Sequence, residues 1–375
     1  MTSYERVKTT IQHKEPDRVP VFASFTSEMS ERLRDELNVG SEDLGVQLGN
    51  DMIQVSIGIE TSSSYSKEPE FVCPWGITWR NVRNQFGSYS EIVQFPLAGD
   101  EEKLSRWSIP DPTKKELYEP MKRVIDQYGK KVWIAGSCRC TLFETAWYLR
   151  GMDEFMVDLL TNEDYVNALL DKIIEYPRYA LNEYIDRGAD MVWVGDDVAT
   201  QQGMMISPEL WRKYFKPRYA RLFNEFKTKN PDIIIAYHSC GNCSEIVADL
   251  IEIGLDVIHP LQPLAIDPIE VKREYGNRLT LMGGLDIQIV MPGGSPEDVK
   301  TETIRLMKGC GKGGGFIIGG AHHFQKDTPI ENILAFYKTV KEEGVYDKLR
   351  FNPIISTQEA LRGLEYRIRE KRNEK

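Results

Sequence analysis

The sequence predicts a (β/α)8 barrel of the TIM type, one domain over residues 1–375 with an irregular N-terminal part over 1–112. Three observations carry this. From Lys115 onward, short apolar runs alternate with amphipathic helical stretches, the signature of βα units. The runs are nearly continuous in apolar residues, as strands buried on both faces are. Polar residues gather just past the runs, where a barrel places its chemistry. A doubly wound open sheet is the competing arrangement, but no GxGxxG follows an early strand.

The elements follow in order. A turn at Glu15, Pro16 and Asp17 leads to a short strand at 19–25. "CPWGITWRNV" (73–82) and "GSYSEIVQFPL" (87–97) are rich in aromatic and β-branched residues and read as hairpin strands. "WSIPDP" (107–112) is a proline-rich hinge. A helix at about 114–128 precedes the strand "KVWIAGS" (131–137), and helices at about 142–150 and 163–186 precede "DMVWVGDD" (190–197). A helix over 207–229 leads to "IIIAYHSCG" (233–241), and one over 243–254 leads to "DVIHPLQP" (256–263). A helix over 267–276 leads to "LTLMGGLD" (279–286), one over 295–310 leads to "GGFIIGGAHH" (314–323), and a last helix covers 330–343. Ser207-Pro208 and Ser295-Pro296 mark two helix starts, with Ser at the cap and Pro just inside. Six βα units are visible, and an earlier strand or two completes eight. The charged stretch 367–375 reads as a frayed helix end.

Composition narrows the function. Hydrophobic residues at 41 % supply a large core, and a net charge of −10 with no basic run argues against nucleic acid or an anionic membrane as partner. No apolar run reaches the roughly 18 residues of a membrane helix, and the start lacks a signal peptide. Six cysteines are too sparse for a disulfide scaffold, so reduced thiols and the cytoplasm are expected.

The residues just past the strands are Cys138 and Cys140; Asp196 and Asp197; His238 and Cys240; His259; Asp286; and His322 and His323. Four of the five histidines fall there. His238 and Cys240 stand at i and i+2, so in extended backbone both face one way and reach one ion. Zinc accepts imidazole and thiolate in tetrahedral geometry, with three protein ligands and one open position at a catalytic site. His322 is the expected third ligand, His323 its competitor and Cys243 a local alternative. A hydrogen-bonded histidine beside an unreactive thiol is the competing role for the pair. Cys138 and Cys140 alternate along a strand, are expected to share one face, and read as structural. His259 reads first as a packed or turn histidine, and otherwise as a substrate contact.

These residues sit in segments that resemble the uroporphyrinogen decarboxylase superfamily, and within it the corrinoid-linked methyltransferases. The resemblance runs through "HKEPDRVPV" (13–21), "GNDMIQV" (49–55), "CPWGITWR" (73–80), "LFETAWYLRGMDEFMVDLLTN" (142–162), "GDDVATQQGMMISPELWRKYFKPRY" (195–219), "YHSCGN" (237–242), "LMGGLDIQ" (281–288) and "GGGFIIGGAHHFQKDTPIENI" (313–333). It implies a (β/α)8 barrel. The decarboxylases carry an arginine-rich segment after the first strand; here that stretch is "FASFTSEMSERL" (22–33), without those arginines, which sets decarboxylation of a polyanionic tetrapyrrole aside. The methyltransferases hold zinc with a His-x-Cys pair and a later Cys. His238 and Cys240 match the pair, and the later position falls on His322, a departure that makes the site less negative and suits polarising a methyl ether oxygen.

The resemblance therefore implies methyl transfer from a small donor, methoxy-aromatic or similar, to the Co(I) corrinoid of a partner protein, assisted by zinc. No DxHxxG cobalt-ligating motif occurs in this chain. Asp196, Asp197 and Glu144 are the candidates for proton delivery. Tyr237, His259, Asp286, Trp75 and His323 are the candidate substrate contacts. Methylation of a thiol by methylcorrinoid is the first alternative, and cofactor-free decarboxylation of a small acid the second. A homodimer is left open.

Overall fold

Seven parallel strands form one curled sheet in the computed structural model, which describes residues 1–40, 43–84, 87–349, 351, 360–366 and 368. The strands are β1 (Met52–Ser56), β2 (Trp133–Ser137), β3 (Met191–Gly195), β4 (Ile234–His238), β5 (Val257–Leu261), β6 (Thr280–Leu285) and β7 (Phe316–Gly320). Their order in the sheet is their order in the chain. A doubly wound sheet would reverse direction from its first strand, so that alternative is removed.

The strand expected at 19–25 is present only as isolated parallel bridges, Val21 to Ile318 and Phe25 to Phe324. Backbone bonds tie it to β7: the Ile318 N–H donates to the Pro20 carbonyl at 2.9 Å, and the Phe22 N–H to the Ile318 carbonyl at 2.9 Å. Towards β1 the partners are partly side chains. The Val21 N–H donates to Asp51 Oδ2 at 2.8 Å, and the Ala23 N–H to Asn50 Oδ1 at 3.0 Å. Side chains thus replace ladder bonds, which is why no regular strand forms here. Gly319 admits the segment, because a Cβ there would overlap the Phe22 carbonyl.

Alternation along the strands builds two layers. Met52, Trp133, Ala135, Met191, Trp193, Ala236, Val257, Met282 and Ile317 face inward and pack with Phe22 and Val7 into one cluster. Their neighbours, such as Ile134, Val192, Tyr237 and Ile318, face the helices and join the outer core.

Helices form where the periodicity placed them, although the one expected at about 114–128 is a 3-10 turn followed by Glu119–Tyr128, an unexpected helix covers Met152–Thr161, and two others are broken. The stretch 163–186 is two helices, Glu163–Ile173 and Glu175–Asp186, and 207–229 is also two, Pro208–Tyr214 and Lys216–Lys229. Pro177 and Pro217 lie just past the breaks, and each removes an N–H from the helical ladder. The Ser207 hydroxyl accepts from the Leu210 N–H, and Ser295 forms a capping box with Asp298, as the Ser-Pro pairs implied. The aromatic N-terminal segments form an antiparallel sheet of Glu70–Val72, Thr78–Asn84 and Gly87–Gln94. Residues 367 and 369–375, most of the charged end, lie outside the described residues.

Candidate metal centre and cavity

Strands β3 and β4 set the centre of the site. Gly195 pairs with His238, and a Cβ on Gly195 would overlap the His238 carbonyl, so only glycine allows this approach. Just beyond, Asp197 and Cys240 come together: the Cys240 N–H donates to Asp197 Oδ1 at 2.7 Å. His238 Nε2 lies 3.4 Å from the same oxygen and 3.6 Å from Cys240 Sγ. One donor atom from each of Asp197, His238 and Cys240 falls within 4.8 Å of the others. Zinc bonds of roughly 2.0–2.3 Å at tetrahedral angles put neighbouring donors about 3.3–3.8 Å apart. The two separations from His238 Nε2 match that spacing, so the residues fit zinc.

The residue that the geometry groups with His238 and Cys240 is Asp197, whereas the expected companion was His322. Asp197 closes the cluster, because β3 lies beside β4. His322 follows β7, which is three strands away, and its ring centre is 6.4 Å from that of His238 across the cavity.

Burial shapes the protonation states. Burial alone would raise Asp197, but the hydrogen bonds from His238 and from the Cys240 N–H outweigh it and hold the carboxyl well below its usual range. His238 itself is pushed down by burial despite Asp197, so the ring is neutral at neutral pH and the aspartate's low value rests on donated N–H bonds. Burial followed by the Asp197 charge pushes the Cys240 thiol well up, so without a cation it stays protonated. Burial and then the charges of Asp197 and Asp196 raise Glu144 to about 8. Glu144 is a neutral acid at neutral pH, and its Oε2 accepts the Asp197 N–H at 2.8 Å. Burial, with help from neighbouring cations, takes His322 to about 4 and His323 to about 3.

Below His238, its Nδ1 meets Nδ1 of buried His259 at 2.9 Å. One ring must donate and the other accept. For His238 Nε2 to take a metal ion, its Nδ1 carries the proton and His259 accepts it. His259 also stands edge-on to Trp193, with ring centres 4.7 Å apart, and does not line the cavity.

A cavity of about 190 Å³ opens above this cluster. Of the expected residues it is lined by Glu144, Asp197, His238, His322 and His323, with Cys240 beside it. Glu60, Trp79, Arg139 and Tyr148 line it too, and the sequence had not singled them out. Arg139 was in reach of the strand-end rule, since it stands between Cys138 and Cys140 after β2. A wider hollow of about 700 Å³ between the helices Glu175–Asp186 and Lys216–Lys229 is lined by surface charges such as Arg178, Glu183 and Arg221 and holds no comparable donor cluster among the described residues.

Four expected contacts are placed elsewhere. Asp196 is fully buried; its carboxylate accepts the Leu142 and Glu144 N–H groups at 3.0 Å and the Tyr219 hydroxyl, so it fixes the start of the helix Phe143–Arg150. Asp286 likewise accepts the N–H groups of Gln288 and Val290 at 3.1 and 2.9 Å. Tyr237 is one residue before His238 and so faces outward, against Tyr219 with ring centres 5.3 Å apart. Trp75 is buried between Trp107 and Tyr176. Cys138 and Cys140 do not share a face: the strand ends at Ser137, Cys140 has φ +56° and lines the cavity, and Cys138 is buried beneath Gly58.

The chain belongs to the uroporphyrinogen decarboxylase family, whose model, "Uroporphyrinogen decarboxylase (URO-D)", matches residues 87–343. It is 26 % identical over 210 residues to "Methylcobamide:CoM methyltransferase MtbA" of Methanosarcina mazei, covering 56 % of this chain and 59 % of that protein. It is 26 % identical over 206 residues to "Methylated-thiol--coenzyme M methyltransferase" of the same organism, covering 54 % and 52 %. To a "Uroporphyrinogen decarboxylase" of Coxiella burnetii it is 25 % identical over 195 residues, covering 52 % of each. The chain thus spans a little over half the length of these curated relatives. A solved "methyltransferase from Methanosarcina mazei" shares the fold with a TM-score of 0.70 at 18 % identity, covering 91 % of this chain and 99 % of that one.

Proposed function

We propose that this chain is a methyltransferase that moves a methyl group between a small sulfur compound and the cobalt of a corrinoid carried on a separate protein, with a zinc ion held by Asp197, His238 and Cys240. The donor cluster, spaced for tetrahedral zinc, carries the reading. Relatives named as decarboxylases and as methyltransferases are almost equally similar, and the donor cluster is what favours methyl transfer in this reading. A cavity of about 190 Å³ is below the roughly 300 Å³ at which pockets for drug-sized ligands begin, and a tetrapyrrole is larger still. The reading includes a closed eight-stranded barrel over a single domain, completed by residues 19–25, in a cytoplasmic enzyme.

The donor set favours sulfur over the methyl ether expected from the sequence. Asp197 and Cys240 each bring one negative charge, which together balance a divalent ion. Zinc held in such a set would lower the pKa of a bound thiol. Glu144 keeps a proton at its carboxyl beside the cluster, positioned to hydrogen-bond or protonate a leaving sulfur. Asp197 orients the Cys240 backbone through its N–H. His259 holds His238 in the tautomer that leaves Nε2 open.

A methyl ether as donor is the second reading, and it rests on His322 facing the same cavity. Cobalt spectra test both. Wild type supplied with zinc and Co(I) corrinoid is expected to convert it to the methyl form with a small methyl thioether, and the His238→Ala variant to do so at least about 10²-fold more slowly. Turnover with methoxy compounds alone would favour the second reading. No methyl transfer from either class would remove the proposal.

A further inference from the structure

Among the described residues, Arg139 is the one arginine or lysine in the cavity wall, and the mechanism above gives it no task. Its Nε donates to Glu60 Oε2 at 2.9 Å, and its backbone N–H to Glu60 Oε1 at 3.0 Å. Glu60 also accepts the Ser137 hydroxyl at 2.9 Å. The pair is well shielded, with 17 % of the Arg139 side chain and 6 % of the Glu60 side chain exposed. One edge of the guanidinium is thus fixed by Glu60, and its face lies 5.8 Å above the Trp193 ring. The terminal nitrogens Nη1 and Nη2 have no hydrogen-bond partner among the described residues. Trp79 lines the same cavity, is 4 % exposed, and its Nε1–H likewise has no partner.

Trp79 Nε1–H is a buried donor without an acceptor, which is costly, and the Arg139 terminal nitrogens stand open in the wall of the same cavity; a ligand that supplies acceptors would satisfy both. Two parallel N–H groups on a planar fork match the two oxygens of a carboxylate, a geometry a lysine would not offer.

We propose that Arg139, held by Glu60 and aided by Trp79, is a carboxylate-binding subsite, so that the small substrate carries a carboxylate at the end opposite its sulfur. This deepens the proposed function and rests on the same cavity. Calorimetric titration of the zinc-supplemented full chain tests it, without corrinoid and without turnover. The probes are 3-(methylthio)propionate, its carboxamide, and 2-(methylthio)ethanesulfonate.

Wild type is expected to bind the carboxylate about tenfold or more tighter than the carboxamide, and tighter than the sulfonate. Arg139→Gln is expected to erase the preference over the amide, and Arg139→Lys to restore part of it. Because Arg139→Gln strands the buried Glu60 carboxylate, the double variant Glu60→Gln/Arg139→Gln gives the same comparison without an unpaired charge. Equal affinity for acid and amide in wild type, no binding of either, or a preference that survives the double variant overturns the subsite. A sulfonate bound more tightly than the carboxylate overturns the carboxylate assignment. The outcomes also separate the two proposals: discrimination without methyl transfer removes the function and keeps the subsite, and transfer without discrimination does the reverse.

Discussion

Two buried charge clusters occupy different parts of the sheet, and they are finished differently. At the start of β1, Asp51 is fully buried and meets a partner at every turn. Arg6 Nη1 donates to it at 2.6 Å, Arg18 Nη1 at 2.9 Å, the Ser3 hydroxyl at 2.7 Å and the Val21 N–H at 2.8 Å. Arg6 is in turn bonded to Asp17. Past the ends of β2, β3 and β4, the Glu144, Asp197, His238, Cys240 and Arg139 cluster leaves groups open: Trp79 Nε1 and His323 Nδ1 are buried without partners among the described residues, and the hydrogen bonds of Arg139 engage only its backbone N–H and Nε. A satisfied cluster holds chain segments together, whereas an unsatisfied one is shaped for something that arrives. Both are buried and charged, so burial and charge alone do not identify a site.

That contrast is broken or sharpened by substitution. The largest stability effect is expected at Asp51. Asp51→Ala leaves two arginines without their shared partner and is expected to destabilise the fold by about 3–5 kcal/mol, read as a lower urea midpoint, with zinc binding to the folded protein unchanged. If zinc affinity fell as well, the two clusters would not be independent.

His259 comes next. His259→Ala removes the acceptor that fixes His238 and is expected to weaken zinc affinity about 10- to 100-fold in a chelator competition, with His259→Asn recovering part of it. An unchanged affinity would reduce His259 to packing.

A pH dependence is expected at Glu144. Its carboxyl is raised in the folded chain from the usual 4.5 to about 8. The unfolded chain releases that proton first, so wild type loses stability as pH climbs from about 4.5 to about 8, and beyond that the penalty is constant. Glu144→Gln carries no such proton. The melting temperature of the variant relative to wild type is expected to rise across that window and then level. A difference independent of pH would mean that Glu144 is ionised in the fold.

Much of this architecture was legible because apolar runs and helix caps are local signals. The six strands from Trp133 onward and the helix Ile330–Glu343 needed only periodicity and Ser-Pro pairs. The segment at 19–25 was found, but not that Asn50 and Asp51 side chains would stand in for its ladder bonds, since that pairing depends on which strands become neighbours. At the site, His238 and Cys240 were readable from their i, i+2 spacing. Asp197 as their companion was not, because it requires the register of β3 on β4. Tyr237 and Asp286 were misplaced for a simpler reason: adjacency to a strand end does not tell which face a side chain takes, and one residue reverses it. Arg139 was in reach of the strand-end rule and was passed over for the cysteines beside it, whereas its buried pairing with Glu60 leaves no pattern along the chain.

The central claim is that Asp197, His238 and Cys240 hold a zinc ion, and metal content tests it most directly. Wild type purified without chelator, then supplied with zinc and desalted, is expected to retain about one zinc per chain, and Cys240→Ala to lose most of it while keeping its melting temperature without metal. Wild type that retains no zinc, or a Cys240→Ala variant that keeps a full equivalent, would contradict the account.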